Sequence, residues 1–366
     1  MAEDLLDRIS AEDRVRMGYL TSLRREWSTT VFTQLRAEFD QRAGGLEQGT
    51  GSPAAQSILD GCPTSPWFGW LERGAQKLKW RTLTHLLEGS WEELAPAQVQ
   101  DVSPDPAVSD GSVLLPDWYT SCDIHCQPGG VWGDPAAAVL YELGTKVLHI
   151  GRNNRNELHH LFVRSVLAPA LAEHDPTSSP RVVDLGCGFG KSTTPIKEAF
   201  PDAEVIGIDL SEPCVRLASV RASESDLAVT FLQGDAAAIP LESESTLLVT
   251  GTMVLHEIPV VVLRRVFSEV ARVLRPGGEV RFLEFMRTGD PFRDAVMDDH
   301  AWRNNEPFMP GLMDLDLERE LGAAGLTDAR WVPFDERGAG PTAEGFPARS
   351  EWHFPWAVLS ARRAAS

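Results

Sequence analysis

Val182-Val-Asp-Leu-Gly-Cys-Gly-Phe-Gly190 is the stretch of sequence that decides the fold. Its apolar half is typical of a buried β-strand, and glycines then occupy every second position before a helix that starts near Lys191. Glycine at positions 186 and 188 lets the backbone approach a ligand closely, because a side chain there would fill the space that the ligand needs. Taken alone, the stretch fits either a ligand-binding turn or a tight turn that binds nothing.

Acidic residues end the next two predicted strands. Val205-Ile-Gly-Ile-Asp209 places a carboxylate where a nucleoside ribose would offer its two hydroxyls. Phe231-Leu-Gln-Gly-Asp235-Ala236 places a second carboxylate where it can accept a hydrogen bond from an adenine amino group. Ligands of open α/β sheets bind at the carboxyl ends of the strands, so both carboxylates and the glycine turn are predicted to meet in one crevice.

Short apolar runs alternate with helical stretches from residue 181 onward. This alternation is typical of a mostly parallel sheet that helices cover on both faces. The runs lie at 181–185, 204–208, 229–232, 247–250, 280–285, 329–332 and 352–360. The sequence therefore predicts an α/β domain over residues 146–366.

Residues 1–145 are predicted to form a mainly helical extension before that domain. Apolar residues recur every three or four positions from Leu20 to Phe39, and helical spacing returns between 67 and 94. Segments 44–66 and 102–111 are rich in small residues and proline and are predicted to be linkers. Most of the tryptophans lie in this part, where they either pack a core or cover a substrate.

The composition narrows the class of partner. The 34 basic and 53 acidic residues give a net charge of −19, and no basic stripe is visible, so neither nucleic acid nor an anionic membrane is expected as a partner. No signal peptide or membrane-spanning run appears, and five cysteines fit a reducing compartment, so a cytoplasmic protein is expected. The expected partner is a small molecule, and the oligomeric state is open between a monomer and a homodimer.

The glycine turn, the two acidic strand ends and the Arg275-Pro-Gly-Gly278 turn together resemble class I S-adenosylmethionine (SAM) dependent methyltransferases. Val254-Leu-His-Glu-Ile258 and the helix that follows it are similar to the small-molecule branch, which includes ubiquinone and menaquinone C-methyltransferases. The resemblance covers about residues 156–366 and implies a Rossmann-like sheet of seven strands, the last of them antiparallel. The first 150 residues match no domain of that family.

The resemblance places SAM along the glycine turn and the acidic strand ends. The residues expected to bind it are Asp184, Gly186, Cys187, Gly188, Gly190, Asp209, Leu210, Asp235, Ala236 and Gly251. A nicotinamide dinucleotide is the competing cofactor, because an acidic strand end also suits its ribose. The Gly-Cys-Gly-Phe-Gly spacing is narrower than the dinucleotide pattern and favours SAM.

His256 directly follows the fourth predicted strand and is the first candidate for a general base. Methyl transfer from a sulfonium is an in-line displacement, so the protein mainly aligns the acceptor and removes its proton where one must leave. A neutral histidine with a pKa of about 6.5 can take a phenol or enol proton. The alternative is that His256 caps the next helix or forms a pocket wall. Glu257 is the second catalytic candidate, and it too has a structural alternative.

Two further segments supply candidates for substrate contact. Cys122-Asp-Ile-His125-Cys126 contains three side chains of metal-ligating type, but no fourth ligand is evident and no metal is expected. The polar run at 298–306 either covers the substrate or forms a solvated loop. The predicted substrate contacts are Tyr119, His125, Glu284, His300, Trp302 and Arg303.

The predicted activity is methyl transfer from SAM to the oxygen or carbon of a small-molecule metabolite, with release of S-adenosylhomocysteine (SAH). One alternative is a SAM-binding enzyme of non-methyl chemistry, such as a cyclase, and another is a nucleic-acid or protein methyltransferase. Thr250-Gly-Thr-Met-Val stands where methyltransferases that act on DNA bases usually carry Asn-Pro-Pro-Tyr, which disfavours that substrate.

Overall fold

A mixed β-sheet forms the centre of the computed structural model, which describes residues 8–44, 53–96, 99, 111, 113–148, 153–174 and 179–365. Its strands are β1 (Arg181–Leu185), β2 (Glu204–Asp209), β3 (Thr230–Gln233), β4 (Thr246–Thr252), β5 (Leu274–Phe285), β6 (Leu326–Asp335), β7 (Gly340–Pro341) and β8 (Trp356–Arg363). They are ordered β3-β2-β1-β4-β5-β8-β6-β7. β1 to β5 are parallel, and β8 runs antiparallel to both β5 and β6.

The sheet confirms the Rossmann-like architecture, but the prediction of seven strands is wrong. The eighth strand is β7, a two-residue segment that pairs with the end of β6 after a tight turn. It arises because Gly340 has a φ of +97° and folds the chain back onto β6. A pairing this short leaves no apolar alternation in the sequence.

The central strands are buried on both faces because helices cover them. All seven residues of β4 are buried, as are four of the five in β1. β5 begins six residues before the predicted run, since Leu274 already pairs with Thr246, and the Arg275-Pro-Gly-Gly278 segment then bulges out of the register. The last strand begins at Trp356 rather than at Trp352, directly after a proline that cannot donate to a strand neighbour.

The helices occupy both the extension and the α/β domain. In chain order they are α1 (Ala11–Glu26), α2 (Phe32–Ala43), α3 (Pro53–Asp60), α4 (Ser65–Gly89), α5 (Trp91–Leu94), α6 (Asp117–Thr120), α7 (Pro135–Leu148), α8 (Glu157–Phe162), α9 (Ala168–Ala172), α10 (Thr193–Ala199), α11 (Glu212–Glu224), α12 (Val260–Val273), α13 (Pro291–Arg303), α14 (Met309–Met313) and α15 (Leu317–Ala323). π-helical turns join α1 to α2 and α8 to α9. Short 3-10 turns lie at Ile124–Cys126 and Leu255–Glu257.

The helical extension was predicted correctly in type, with one error. The stretch predicted as a linker at 44–66 contains α3, whose buried Ala55 and Leu59 pack against the domain. Most of the other predicted linker, 102–111, lies outside the described residues. The boundary placed at residue 145 falls inside α7.

The extension and the α/β domain share a hydrophobic core. The ring of Phe32 from α2 lies 5.2 Å from that of Phe292 and 5.9 Å from that of Trp352, both in the domain. Phe68 of α4 and Trp27 join the same cluster, with ring centroids 5.4 Å apart. Core packing thus accounts for Trp27 and Trp80, whereas Trp67 and Trp70 are exposed and Trp118 lines a pocket.

None of the helices in the described part of the chain is long and apolar enough to cross a membrane. All five cysteines are present as free thiols.

Candidate functional site

The glycine turn opens onto a crevice at the carboxyl ends of β1 and β2, as predicted. Gly186 and Gly188 have φ values of +66° and +49°, a region that favours glycine. A Cβ at Gly188 would meet only Tyr141, at 3.7 Å, so this glycine faces open space. A Cβ at Gly186 would lie 2.3 Å from the Val254 side chain, so packing rather than ligand space requires glycine at that position.

Asp209 is fixed at the end of β2 by two backbone amides. Its Oδ2 accepts from the Gly188 N–H at 2.9 Å and its Oδ1 from the Ser211 N–H at 2.8 Å. Burial raises the pKa of this carboxyl to about 6, although both hydrogen bonds favour the charged form. Leu210, Asp235 and Ala236 lie beside it in the same crevice, as the sequence predicts.

Asp184, Gly190 and Gly251, which were expected to bind the cofactor, pack behind the glycine turn and do not line the crevice. Asp184 is fully buried and accepts from the hydroxyls of Ser192 and Thr193, both at 2.6 Å, at the start of α10. A Cβ at Gly251 would lie 2.7 Å from the Leu185 carbonyl, and one at Gly190 would lie 3.1 Å from the Phe231 ring. Close packing of neighbouring strands and helices is therefore enough to require glycine at both positions.

Two adjoining pockets lie above the turn. The first, the cofactor crevice, contains the Asp209 and Asp235 carboxylates, with Trp118, Tyr119 and Phe308 over it. The second, the inner pocket, lies between the turn and helices of the extension. Its polar lining includes Arg24, Gln76, Lys79, Asn153, His256, His300 and Glu306. Both pockets are lined by His125, Tyr141, Gly186, Gly188, Thr252, Met253 and Glu257, so they meet at the glycine turn.

His256 forms a buried pair with Glu284 at the wall of the inner pocket. Its Nδ1 lies 2.6 Å from Glu284 Oε1, and the other oxygen of that carboxylate accepts from the Leu255 N–H at 2.8 Å. The negative Glu284 outweighs burial and raises the pKa of His256 to about 9, above the ordinary value that the sequence implies. The structure does not bring Glu284, a predicted substrate contact, into either pocket; its carboxylate contacts His256 instead.

His125 links the extension to the domain through two carboxylates. Its Nε2 lies 2.9 Å from Glu257 Oε1 and its Nδ1 lies 3.0 Å from Glu306 Oε1. These carboxylates raise the pKa of His125 to about 10 against the effect of burial, so the ring is charged at neutral pH. The ring also stacks on Tyr141, with centroids 6.2 Å apart.

The cysteines next to His125 donate to backbone carbonyls. Cys122 Sγ lies 3.4 Å from the Asn305 oxygen and Cys126 Sγ lies 3.5 Å from the Arg303 oxygen. Within the described ranges, no three His, Cys, Asp or Glu side chains are placed to hold a metal ion. Through these contacts, residues 122–126 of the extension bind the backbone at the end of α13 and just after it.

The run at 298–306 is largely helical, since α13 extends to Arg303. One residue turns a helix by about 100°, so His300 faces inward while Trp302 faces outward. His300 lines the inner pocket and its Nδ1 lies 2.5 Å from Glu72. The structure brings neither Trp302 nor Arg303 into the pockets: Trp302 is 70% exposed, and Arg303 pairs with Glu72 and Asp299.

Several lining residues were missed because they lie in the extension, where only Tyr119 and His125 were predicted to contact the substrate. Tyr141 stands at the pocket junction, and Arg24 and Lys79 stand in the inner pocket. One signal was available: Lys79 lies three and four residues from Gln76 and Leu83 on the buried stripe of α4. A charged residue on such a stripe breaks the apolar pattern, which often marks a site.

Comparison with known proteins shows what part of the α/β domain is similar to. Residues 182–278 match the family described as a methyltransferase domain. The chain is 28% identical over 216 residues to a ubiquinone/menaquinone biosynthesis C-methyltransferase of Syntrophotalea carbinolica, covering 59% of this chain and 78% of that protein. It is 36% identical to a malonyl-[acyl-carrier protein] O-methyltransferase of Methylococcus capsulatus, covering 41% of this chain and 53% of that protein.

Among solved structures, the chain is similar to phosphoethanolamine N-methyltransferase 2 of Haemonchus contortus in complex with S-adenosyl-L-methionine. The TM-score is 0.40 at 16% identity, and the match covers 57% of this chain and 56% of that one.

Proposed function

We propose that this chain, a SAM-dependent methyltransferase, transfers the methyl group to oxygen or carbon of a small molecule held in the inner pocket. The observation that carries the proposal is the junction of the two pockets at Gly188 and Met253, with the buried His256–Glu284 pair beside it. An acceptor in the inner pocket would lie next to both the cofactor and a proton-accepting side chain. That arrangement is what an in-line transfer to a proton-bearing atom requires.

The residues present fit SAM. Asp209 accepts only one hydrogen bond on each oxygen, which leaves lone pairs for two ribose hydroxyls, and Asp235 lies in the same crevice for the adenine. When bound, SAM supplies an activated methyl group on a sulfonium.

His256 is proposed as the base that receives the acceptor's proton. Nδ1 donates to the Glu284 carboxylate, which holds the ring in place and leaves Nε2 as the atom that binds the incoming proton. Glu284 also stabilises the imidazolium that forms. Because the pKa of His256 is about 9, most of the free enzyme carries this proton at neutral pH, and the rate should rise as the pH approaches 9.

A small-molecule substrate is favoured over a macromolecule because the extension covers both pockets. Arg24 and Lys79 come from α1 and α4, and Tyr119 and His125 come from the segment that lies over the crevice. The net charge of −19 also opposes nucleic-acid binding. We therefore propose that residues 1–145 act as a substrate cover.

The test uses the full-length protein, SAM labelled in the methyl group and a pool of small metabolites. The proposal expects label in a low-molecular-weight product together with an equal amount of SAH. Product without consumption of SAM would indicate non-methyl chemistry instead. Label found only in protein or nucleic acid, with none in a small molecule, would contradict the proposal.

A further inference from the structure

The inner pocket contains two cations that its carboxylates do not neutralise. The carboxylates of Glu257 and Glu306, which line the pocket, hold His125, and Glu284, which lies behind the pocket wall, holds His256. Glu72 holds both His300 and Arg303.

The two cations of the inner pocket are Arg24 and Lys79. In the part of the chain that the structure describes, neither has a hydrogen bond or a carboxylate within ion-pair distance. Their contacts are with aromatic rings: Lys79 Nζ lies 3.8 Å from the centroid of the Trp80 ring, and the guanidinium of Arg24 lies 5.3 Å from that of Trp27.

The sequence places both cations where a soluble helix normally has apolar residues. Lys79 is 5% exposed and lies on the buried stripe of α4 with Phe68 and Leu83. Arg24 follows the buried Leu20 by one helical turn on α1. Lys79 is buried and Arg24 half-buried, while Glu72 and Glu306 act on Arg24, and Glu306 on Lys79, only from beyond ion-pair distance. Withdrawing a cation from water without an ion-pair partner is costly, because the protein returns little of the hydration that the group loses. Two such residues lining one pocket indicate that the missing charge belongs to a ligand.

We propose that Arg24 and Lys79 bind an anionic oxygen group of the methyl acceptor, a carboxylate or a phosphate. This proposal rests on the proposed function, since it names the class of substrate for the same pocket. An oxyanion between the two side chains would satisfy the donors of both, and a guanidinium is well suited to grip it with two parallel hydrogen bonds. It would also offset the mutual repulsion that, with burial, lowers the pKa of Lys79 to about 7.

The first test measures binding of matched probes to the full-length protein loaded with SAH. Benzoate and phenyl phosphate carry the two candidate anions, and benzamide has the shape of benzoate without its charge. At least one anion should bind roughly tenfold or more tighter than benzamide in saturation-transfer NMR titrations. The anion that binds with the higher affinity shows whether the site prefers a carboxylate or a phosphate. Equal binding of benzamide, or no binding of either anion, would overturn the inference.

Variants show whether the two cations are responsible. K79M and R24Q remove a charge each while keeping side-chain length, and K77M and R25Q change exposed neighbours on the same two helices. The first pair should weaken anion binding roughly tenfold or more, and the second pair should not. If all four variants bind the anion as the wild type does, the inference is wrong. It is also wrong if K79M and R24Q weaken SAM binding by the same factor, since the cations would then serve the cofactor's carboxylate.

Turnover separates this inference from the proposed function. Metabolites are first divided by ion exchange into anionic, neutral and cationic pools, and each pool is then incubated with labelled SAM. Label in the anionic pool supports both proposals. Label found only in the neutral or cationic pool supports methyl transfer to a small molecule but overturns the proposed anion site.

Discussion

Asp209, the proposed acceptor of the ribose hydroxyls, predicts that SAM binding is sensitive to mild acid. Its pKa is raised to about 6, so the carboxylate is mostly charged at neutral pH and becomes protonated as the pH falls through 6. A protonated carboxyl is a poorer acceptor for ribose hydroxyls. We therefore expect the dissociation constant for SAM to be flat above neutral pH and to rise below about pH 6, as measured by calorimetry.

The matching variant is D209N, which keeps the shape of the side chain and removes the charge. It should weaken SAM binding by about 1.5–3 kcal/mol, roughly ten- to a hundred-fold, and flatten the acid limb. D202N, at an exposed position just before β2, is the control and should change neither. Unchanged affinity in D209N would refute the ribose assignment.

As the proposed base, His256 predicts a pH dependence of the rate that differs from the one expected for an isolated histidine. Its pKa of about 9 places the alkaline rise of turnover near pH 9 rather than near 6.5. H256Q should lower turnover by about a hundred-fold or more and remove that rise, because positioned proton transfer is lost. SAM affinity should stay within about twofold, since the ring lies outside the cofactor crevice.

A substitution at Glu284 distinguishes between two roles for His256, a general base and a residue that only forms the pocket wall. E284Q removes the negative charge that raises the pKa of His256, so the rise in rate should move to lower pH as the maximal rate falls. A pocket-wall histidine would give profiles of the same shape in wild type and E284Q. An acceptor with no proton to lose would leave H256Q close to full activity, and either result would end the base assignment.

At the scale of an element, the segment from α6 to the Ile124–Cys126 turn lines the cofactor crevice and is held to the domain through His125. The charged imidazole of His125 forms ion pairs with Glu257 and Glu306. The backbone carbonyl of His125 accepts a hydrogen bond from Trp80 Nε1 at 2.6 Å. The raised pKa means that this ion-pair stabilisation is fully present below about pH 6.5 and is lost as the pH rises through about 10. H125Q should therefore loosen the segment and weaken SAM binding by roughly tenfold.

Limited proteolysis within 113–132 measures the loosening, which bound SAM should slow. H85Q is the control, since His85 is an exposed histidine on α4. Cleavage of H125Q at the wild-type rate would show that the cysteine and backbone contacts hold the segment without the histidine.

Strands and their ends were predictable because their signal is local. Buried β1 runs into glycines that need a positive φ, and acidic residues stand at the ends of β2 and β3, so Asp209 and Asp235 could be placed without coordinates. β7 was missed because two residues carry no periodicity. The bulge at the start of β5 was missed because it depends on pairing with β4.

The inner pocket could not be predicted from the sequence, because its lining depends on which helix faces which strand. His300 and Trp302 are two residues apart and equally plausible in sequence, yet only the first faces inward. The pairing of His256 with Glu284 needs the alignment of β5 beside the turn that follows β4, which no local pattern specifies. Lys79 stood out only as a charged residue on an apolar stripe.

For the whole molecule, the shared core implies that the extension and the α/β domain unfold together. Rings from α2 and α4 lie in one cluster with Phe285, Phe292 and Trp352 of the domain. Removing the extension would expose those rings to water, so we expect it to disable the domain rather than leave a stable cofactor-binding core.

The decisive variant pair lies on α4, where Phe68 is fully buried and Trp70 is 64% exposed. F68A should lower the free energy of unfolding by about 3–5 kcal/mol, because it removes a core ring and leaves a cavity. W70A removes a larger ring from the surface and should cost less than about 1 kcal/mol. In F68A, tryptophan fluorescence and SAM binding should disappear in one urea transition with a single midpoint, since one core serves both parts. If fluorescence changes first while SAM binding persists to the wild-type midpoint, the extension unfolds on its own, and the idea of a single cooperative molecule fails.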